Sequence, residues 1–121
     1  MTGRSARPPA DRGAVTVEAA VGLATLVVTL VICLAGIAAA VAQIRCVAAA
    51  TAAARLDARG DRVAAQAAVA ALAPAGASVS YASDGDLVTV TVSAAPVGIL
   101  SGIRVSGRAV AAQEEQGVER E

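Results

Sequence analysis

From Ala19 to Ile44 the chain carries no charged residue, a run of 26 mostly apolar positions. About 20 such residues suffice to cross a bilayer as a helix, so the run predicts a membrane segment. Helical character continues beyond it: Ala48 to Ala50 and Ala52 to Ala54 have high propensity, and neither Pro nor Gly occurs before Gly60. The pattern therefore predicts one helix from Ala14 to about Arg59, transmembrane over 14–44 and continuing as a stalk. Gly60 serves as its stop and Asp61 as the N-cap of a second helix, Arg62 to Ala73. Val63, Val69 and Leu72 supply that helix with a thin apolar stripe, and Pro74 and Gly76 end it.

The period then changes from helical to alternating. Ala77 to Ser83 and Leu87 to Ser93 read as strands around Asp84-Gly85, a favoured two-residue hairpin turn. That turn places Tyr81 opposite Val88, Val79 opposite Val90 and Ala77 opposite Val92. It also pairs Ser80 with Thr89 and Ser78 with Thr91, so one face is apolar and the other hydroxylic, as in a sheet half covered by a helix. An apolar loop, Val97 to Gly102, leads to a third strand, Ile103 to Ala111. There Ile103, Val105 and Ala109 share one face and Arg104, Ser106 and Arg108 the other. The expected fold class is α+β: a long N-terminal transmembrane helix extending into a stalk, a short second helix, and a small three-stranded antiparallel sheet. In residues, this is a leader over 1–13, the membrane helix over 14–44, stalk and second helix over 45–73, a small β domain over 74–112, and a disordered acidic tail over 113–121.

Composition narrows the function. The 77 residues after Ile44 contain no Phe or Trp and only Tyr81 as an aromatic, so their core is small and open to support by neighbours. Formal charge is zero and every basic residue is Arg, which offers no strongly basic surface for nucleic acid. The absence of His and Lys removes the usual general bases and amine nucleophiles, and argues against an enzyme. Neither a metal, a cofactor nor a small-molecule substrate is implied.

Cys33 and Cys46 lie 13 residues apart, about 20 Å along a continuous helix, beyond disulfide reach. Cys33 reads as a small apolar residue packed in a helix. Cys46 falls just past the membrane run, where it could oxidise between subunits. Residues 1–13 bear Arg4, Arg7 and Arg12 against Asp11, with Pro8-Pro9, and read as an unfolded basic leader on the cytoplasmic side; Arg45, Arg55, Arg59 and Arg62 beyond the run oppose that orientation on charge alone.

The junction of leader and apolar run is the informative place. Arg12-Gly13-Ala14-Val15-Thr16-Val17-Glu18 puts a carboxylate at the lip of an uncharged helix, five residues after a glycine. Glycine leaves the backbone open to an enzyme, and an acid near a helix start suits the positive end of its dipole. Among packed helices the same charge costs several kcal/mol unless paired.

These residues resemble the class III type IV prepilin signal. The resemblance implies cutting by a prepilin peptidase on the cytoplasmic side between Gly13 and Ala14, with the helix retained and Glu18 as fifth residue of the mature chain. Glu18 would then pair with the new amine at Ala14 of its own or a neighbouring subunit and set the register of helices in a filament. The wider layout is similar to the TadE family of minor pilins, or pseudopilins, of tight-adherence (Flp-type) pili; many relatives carry Phe after the Glu, where this chain has Ala19. By resemblance the partners are the membrane, other pilins and pilus assembly proteins, and the location is the cytoplasmic membrane with the C-terminal domain outside. Removing residues 1–13 leaves seven Arg against nine acids, a net side-chain charge of −2.

Two other fates fit the same run. Ala40-Val41-Ala42 before Gln43 is an acceptable signal-peptidase site that would release residues 43–121, and an uncleaved single-pass envelope protein is the third.

Overall fold

The computed structural model describes residues 3, 10–95 and 102–113. Helix α1 runs Ala10–Ala58 and α2 Arg62–Leu72, followed by strands β1 (Ser78–Asp84), β2 (Leu87–Ala94) and β3 (Val105–Ala112). The fold is α+β, with the three strands forming an antiparallel meander in the order β1-β2-β3. Residues 1–34 and 35–121 form two compact units, and α1 contributes to both.

In the first unit every residue from Asp11 to Leu34 is solvent-exposed, including Val21, Leu23, Leu26, Val27 and Leu30. An apolar helix with no covered face fits lipid or partner helices rather than water. It is long and apolar enough to cross a membrane. Its hydroxyls bond inward, Thr25 Oγ1 donating to Gly22 O at 2.8 Å and Thr29 Oγ1 to Thr25 O at 2.8 Å. Such back-bonding leaves no unpaired donor on the helix surface at those positions.

In the second unit α1 presents an alanine face to the sheet. Cys46, Ala49, Ala50, Ala53 and Ala54 pack with Val88, Val90, Val92, Ala94 and Val105, closed on one side by Ala65 and Val69 of α2. Val90 and Val92 are fully buried. Each contributes about 1.5–3 kcal/mol of apolar burial. The small side chains let helix and strand backbones approach very closely at Gly107 of β3. A Cβ there would lie 2.5 Å from the Cys46 carbonyl carbon and 2.6 Å from its oxygen. Gln43 Nε2 donates to Ser106 O at 2.7 Å beside the same crossing.

The end of α1 is a Schellman motif. Gly60 adopts φ +81°, its N–H donates to Asp57 O at 2.9 Å, and the Asp61 N–H reaches Leu56 O at 3.1 Å. Asp61 then caps α2 as expected, its Oδ1 accepting from the Ala64 N–H at 2.9 Å. The buried Asp57 carboxylate receives Arg62 Nε at 2.5 Å and Arg62 Nη2 at 3.3 Å. The same guanidinium lies 4.3 Å from the Tyr81 ring centroid, so one cation joins α1, α2 and β1. The Tyr81 Oη is buried with no hydrogen-bond partner among the described residues.

The hairpin turns one residue later than expected. Its loop is Gly85-Asp86, which shifts the pairing by two: Tyr81 faces Val90, Val79 faces Val92, Ser80 faces Thr91 and Ser78 faces Ser93. Gly85 takes φ +59° and no other residue in the turn has positive φ, the pattern of a type II′ turn with glycine first. A loop of Asp84-Gly85 would need positive φ at Asp84 as well. A two-residue shift preserves parity, so the apolar and hydroxylic faces stand as expected, with Ser78 Oγ and Ser93 Oγ 2.8 Å apart on the outer one.

Three further expectations are corrected. The buried stripe of α2 is Ala65 and Val69, while Val63 is 79% and Leu72 42% exposed; alanine at 65 allows the close approach that a Val63 face would prevent. β3 begins at Val105, and Ile103 is exposed outside it. α1 starts at Ala10 rather than Ala14, with Asp11 favourably placed in its first turn. The tail over 114–121 and the loop residues 96–101 lie outside the described residues, as does most of the leader.

Candidate functional site

Gly13, Ala14 and Glu18 all lie on α1 and all are exposed. Gly13 is helical, not a coil residue ahead of the helix. Counting from Ala10, Gly13 is the fourth residue of the helix and closes its first turn. The Gly13–Ala14 bond is thus at the end of the first turn, the part of a helix that opens most readily. Glycine there weakens the turn by about 1 kcal/mol relative to alanine. Freeing the bond for a protease also breaks the Thr16 Oγ1 bond to Arg12 O, 2.9 Å long.

With the helix beginning at Ala10, Glu18 stands about 12 Å inside it. Dipole stabilisation fades within the first turn, so in the uncut chain Asp11 receives it and Glu18 does not. Removing residues 1–13 would bring the new helix start to within five residues of Glu18.

Glu18 belongs to a face that inspection of composition alone misses. At helical spacing it aligns with Gly22, Thr25, Thr29, Gly36, Ala40 and Gln43, small or polar residues in an otherwise Val- and Leu-rich helix. The signal lies in the repeated three- and four-residue steps from Glu18. Two pairs of small residues at four-residue spacing differ in exposure: Gly36 and Ala40 are exposed on the Glu18 face, whereas Ala35 and Ala39 are half-buried.

The cysteines also part. Cys33 is exposed on the helix, and Cys46 is fully buried under β3. Burial pushes the Cys46 thiol up from its ordinary value, so it remains a neutral, poorly reactive thiol. It is inaccessible to a second subunit, which removes the expected route to oxidation between copies. Among the described residues no group of three His, Cys, Asp or Glu side chains could hold a metal ion.

No family model matches this chain, and no solved structure matches it. The chain is 43% identical over 98 residues to a Mycobacterium tuberculosis protein named Apoptosis inhibitor Rv3655c, an alignment that covers 81% of this chain and 78% of the relative.

Proposed function

This chain belongs to the same family as Apoptosis inhibitor Rv3655c of Mycobacterium tuberculosis, and we propose that it is a non-enzymatic minor pilin or pseudopilin of a tight-adherence (Flp-type) pilus. The observation that carries this reading is Glu18. It is an exposed acid at the edge of an uncharged helix, five residues after Gly13 and at the head of a small and polar face. Prepilin peptidase cuts after Gly13 on the cytoplasmic side, the helix stays in the membrane, and the α+β domain stands outside. Lateral packing then buries the Glu18 face. The carboxylate pairs with the amine of Ala14, because an unpaired charge between helices costs several kcal/mol.

The test joins two variants. Replacing Gly13 with Leu blocks processing, while Glu18→Ala leaves processing intact and impairs incorporation into pili. Normal pili built with Glu18→Ala would sink the role given to that residue.

A second reading is favoured by the position of the core. Among the described residues every fully buried one lies at Cys46 or later, so cleavage after Ala42 would leave residues 43–121 with the whole buried cluster. In that case a soluble domain acts away from the membrane. Against it, α1 runs unbroken through 40–43, and Gln43 is anchored to Ser106. Mass spectrometry of the mature N-terminus separates the readings, Ala14 for the pilin and Gln43 for the released domain.

A further inference from the structure

Neither outer strand of the sheet has a strand partner on its free side among the described residues, the order being β1-β2-β3; on β3 the Ser106 carbonyl, which already accepts from Gln43 Nε2 at 2.7 Å, keeps one lone pair for a further donor. Soluble proteins usually guard such edges with charge, proline or a bulge. β1 has none of these before its last residue: Ser78 to Ser83 are uncharged, and its seven residues pair with β2 without interruption. Its core-facing Val79 and Tyr81 are only half-buried, whereas Val90 and Val92 on the central strand are fully covered. The core is therefore open on the β1 side.

We propose that the β1 edge receives the β3 edge of a second copy of this chain, joining the sheets head to tail. Two observations select that occupant. The first is charge: each edge strand holds one charged residue, Asp84 on β1 and Arg108 on β3, and both lie on the hydroxylic face. Both are exposed, and neither forms an ion pair among the described residues. The second is direction. Pairing β1 with a second β1 requires a two-fold axis normal to the sheet, which reverses the part of α1 packed on it. Pairing β1 with β3 keeps α1 parallel in every copy, as a common membrane insertion demands. This step rests on the membrane anchorage proposed above.

Strands β1 and β3 run parallel within one copy, so the junction between copies is a parallel one. The register that overlaps most residues while bringing the charges together sets Ala82 beside Arg108 and Ser80 beside Ser106. Asp84 is then the diagonal neighbour of Arg108, within reach of a long side chain. Such a contact uses two different surfaces, so each copy keeps one free edge for the next.

Disulfide trapping tests the junction in membranes of cells making the full chain. One copy carries Ser80→Cys and a differently tagged copy carries Ser106→Cys, each in a Cys33→Ala background. Both positions are exposed and uninvolved in the core. Because the two new thiols sit on different chains, any bridge between them joins two copies. The expected result is a mixed-tag dimer on mild oxidation, lost with Arg108→Asp and restored when Asp84→Arg is added to the partner. Bridges between two Ser80→Cys copies would overturn the direction argued here. Absence of any bridge, with the chain still membrane-bound and beginning at Ala14, would overturn the edge junction and leave the pilin reading standing. Recovery of a soluble chain beginning at Gln43 would overturn both.

Discussion

The tightest crossing in the domain is where a single methyl group should do the most damage. Gly107→Ala places a Cβ 2.5 Å from the Cys46 carbonyl carbon and 2.6 Å from its oxygen, when ordinary contact begins near 3.4 Å. The atoms it meets are backbone in the middle of α1 and cannot rotate aside. Helix and strand must separate by close to an ångström, loosening Ala49, Ala50 and Val92 against one another. Overpacking of a core costs about 1–3 kcal/mol, and this site belongs at the upper end because no side chain can yield. Marginal domains hold about 5–15 kcal/mol in all. At this size each kcal/mol lowers the melting temperature by about 4–8 °C, so a fall of about 10–20 °C is expected. Thermal unfolding of the full chain in detergent, followed by circular dichroism, measures it. Gly102→Ala, which meets nothing within 4 Å, is the control and should leave the melt unchanged. Cys46→Ala should not rescue Gly107→Ala, since the clash is with the backbone. A Gly107→Ala protein that melts with the wild type, or one rescued at Cys46, would refute the close crossing.

Arg62→Met should destabilise the domain by about 1–3 kcal/mol by leaving the buried Asp57 carboxylate without its donors; Asp57→Asn in the same chain should recover part of the loss in denaturant titrations. Gly85→Ala should cost about 1–2 kcal/mol through its positive φ, with the melt again as the measure, whereas Asp86→Gly should be tolerated. The raised Cys46 thiol keeps its proton in the folded chain where the unfolded chain loses it, so stability is full below the unfolded value of about 8.5 and falls as pH rises above it. Comparing unfolding at about pH 7 and about pH 9.5, Cys46→Ala should lose less stability than the wild type.

Where periodicity alone determines an element, the residues state it openly. The apolar run, the Gly60-Asp61 break and the two-faced hairpin are each local patterns with a local cause, and all three are present. The hairpin register is harder to read because Asp84-Gly85 and Gly85-Asp86 are both good turns on paper. Only the requirement that glycine alone take positive φ separates them. The inward face of α2 is obscured because larger side chains attract attention, yet alanine is what a close helix crossing selects. Asp57, Arg62 and Tyr81 cannot be connected from the sequence, since their meeting depends on how three elements converge. At the N-terminus, Gly13 and Glu18 are conspicuous by spacing, but the extent of the helix around them is not. The start at Ala10 leaves Glu18 beyond the reach of the helix dipole in the uncut chain, and removal of residues 1–13 would bring it within reach.

The junction of Arg62 with Tyr81 has a practical side. Tyr81 is the sole aromatic residue of the chain, so every near-ultraviolet and intrinsic-fluorescence signal originates at that one ring, half-buried beneath a guanidinium tied to Asp57. Optical spectroscopy of this protein is therefore a site-specific measurement by default. It reports whether the two helices and the first strand are docked, and it is blind to the membrane helix.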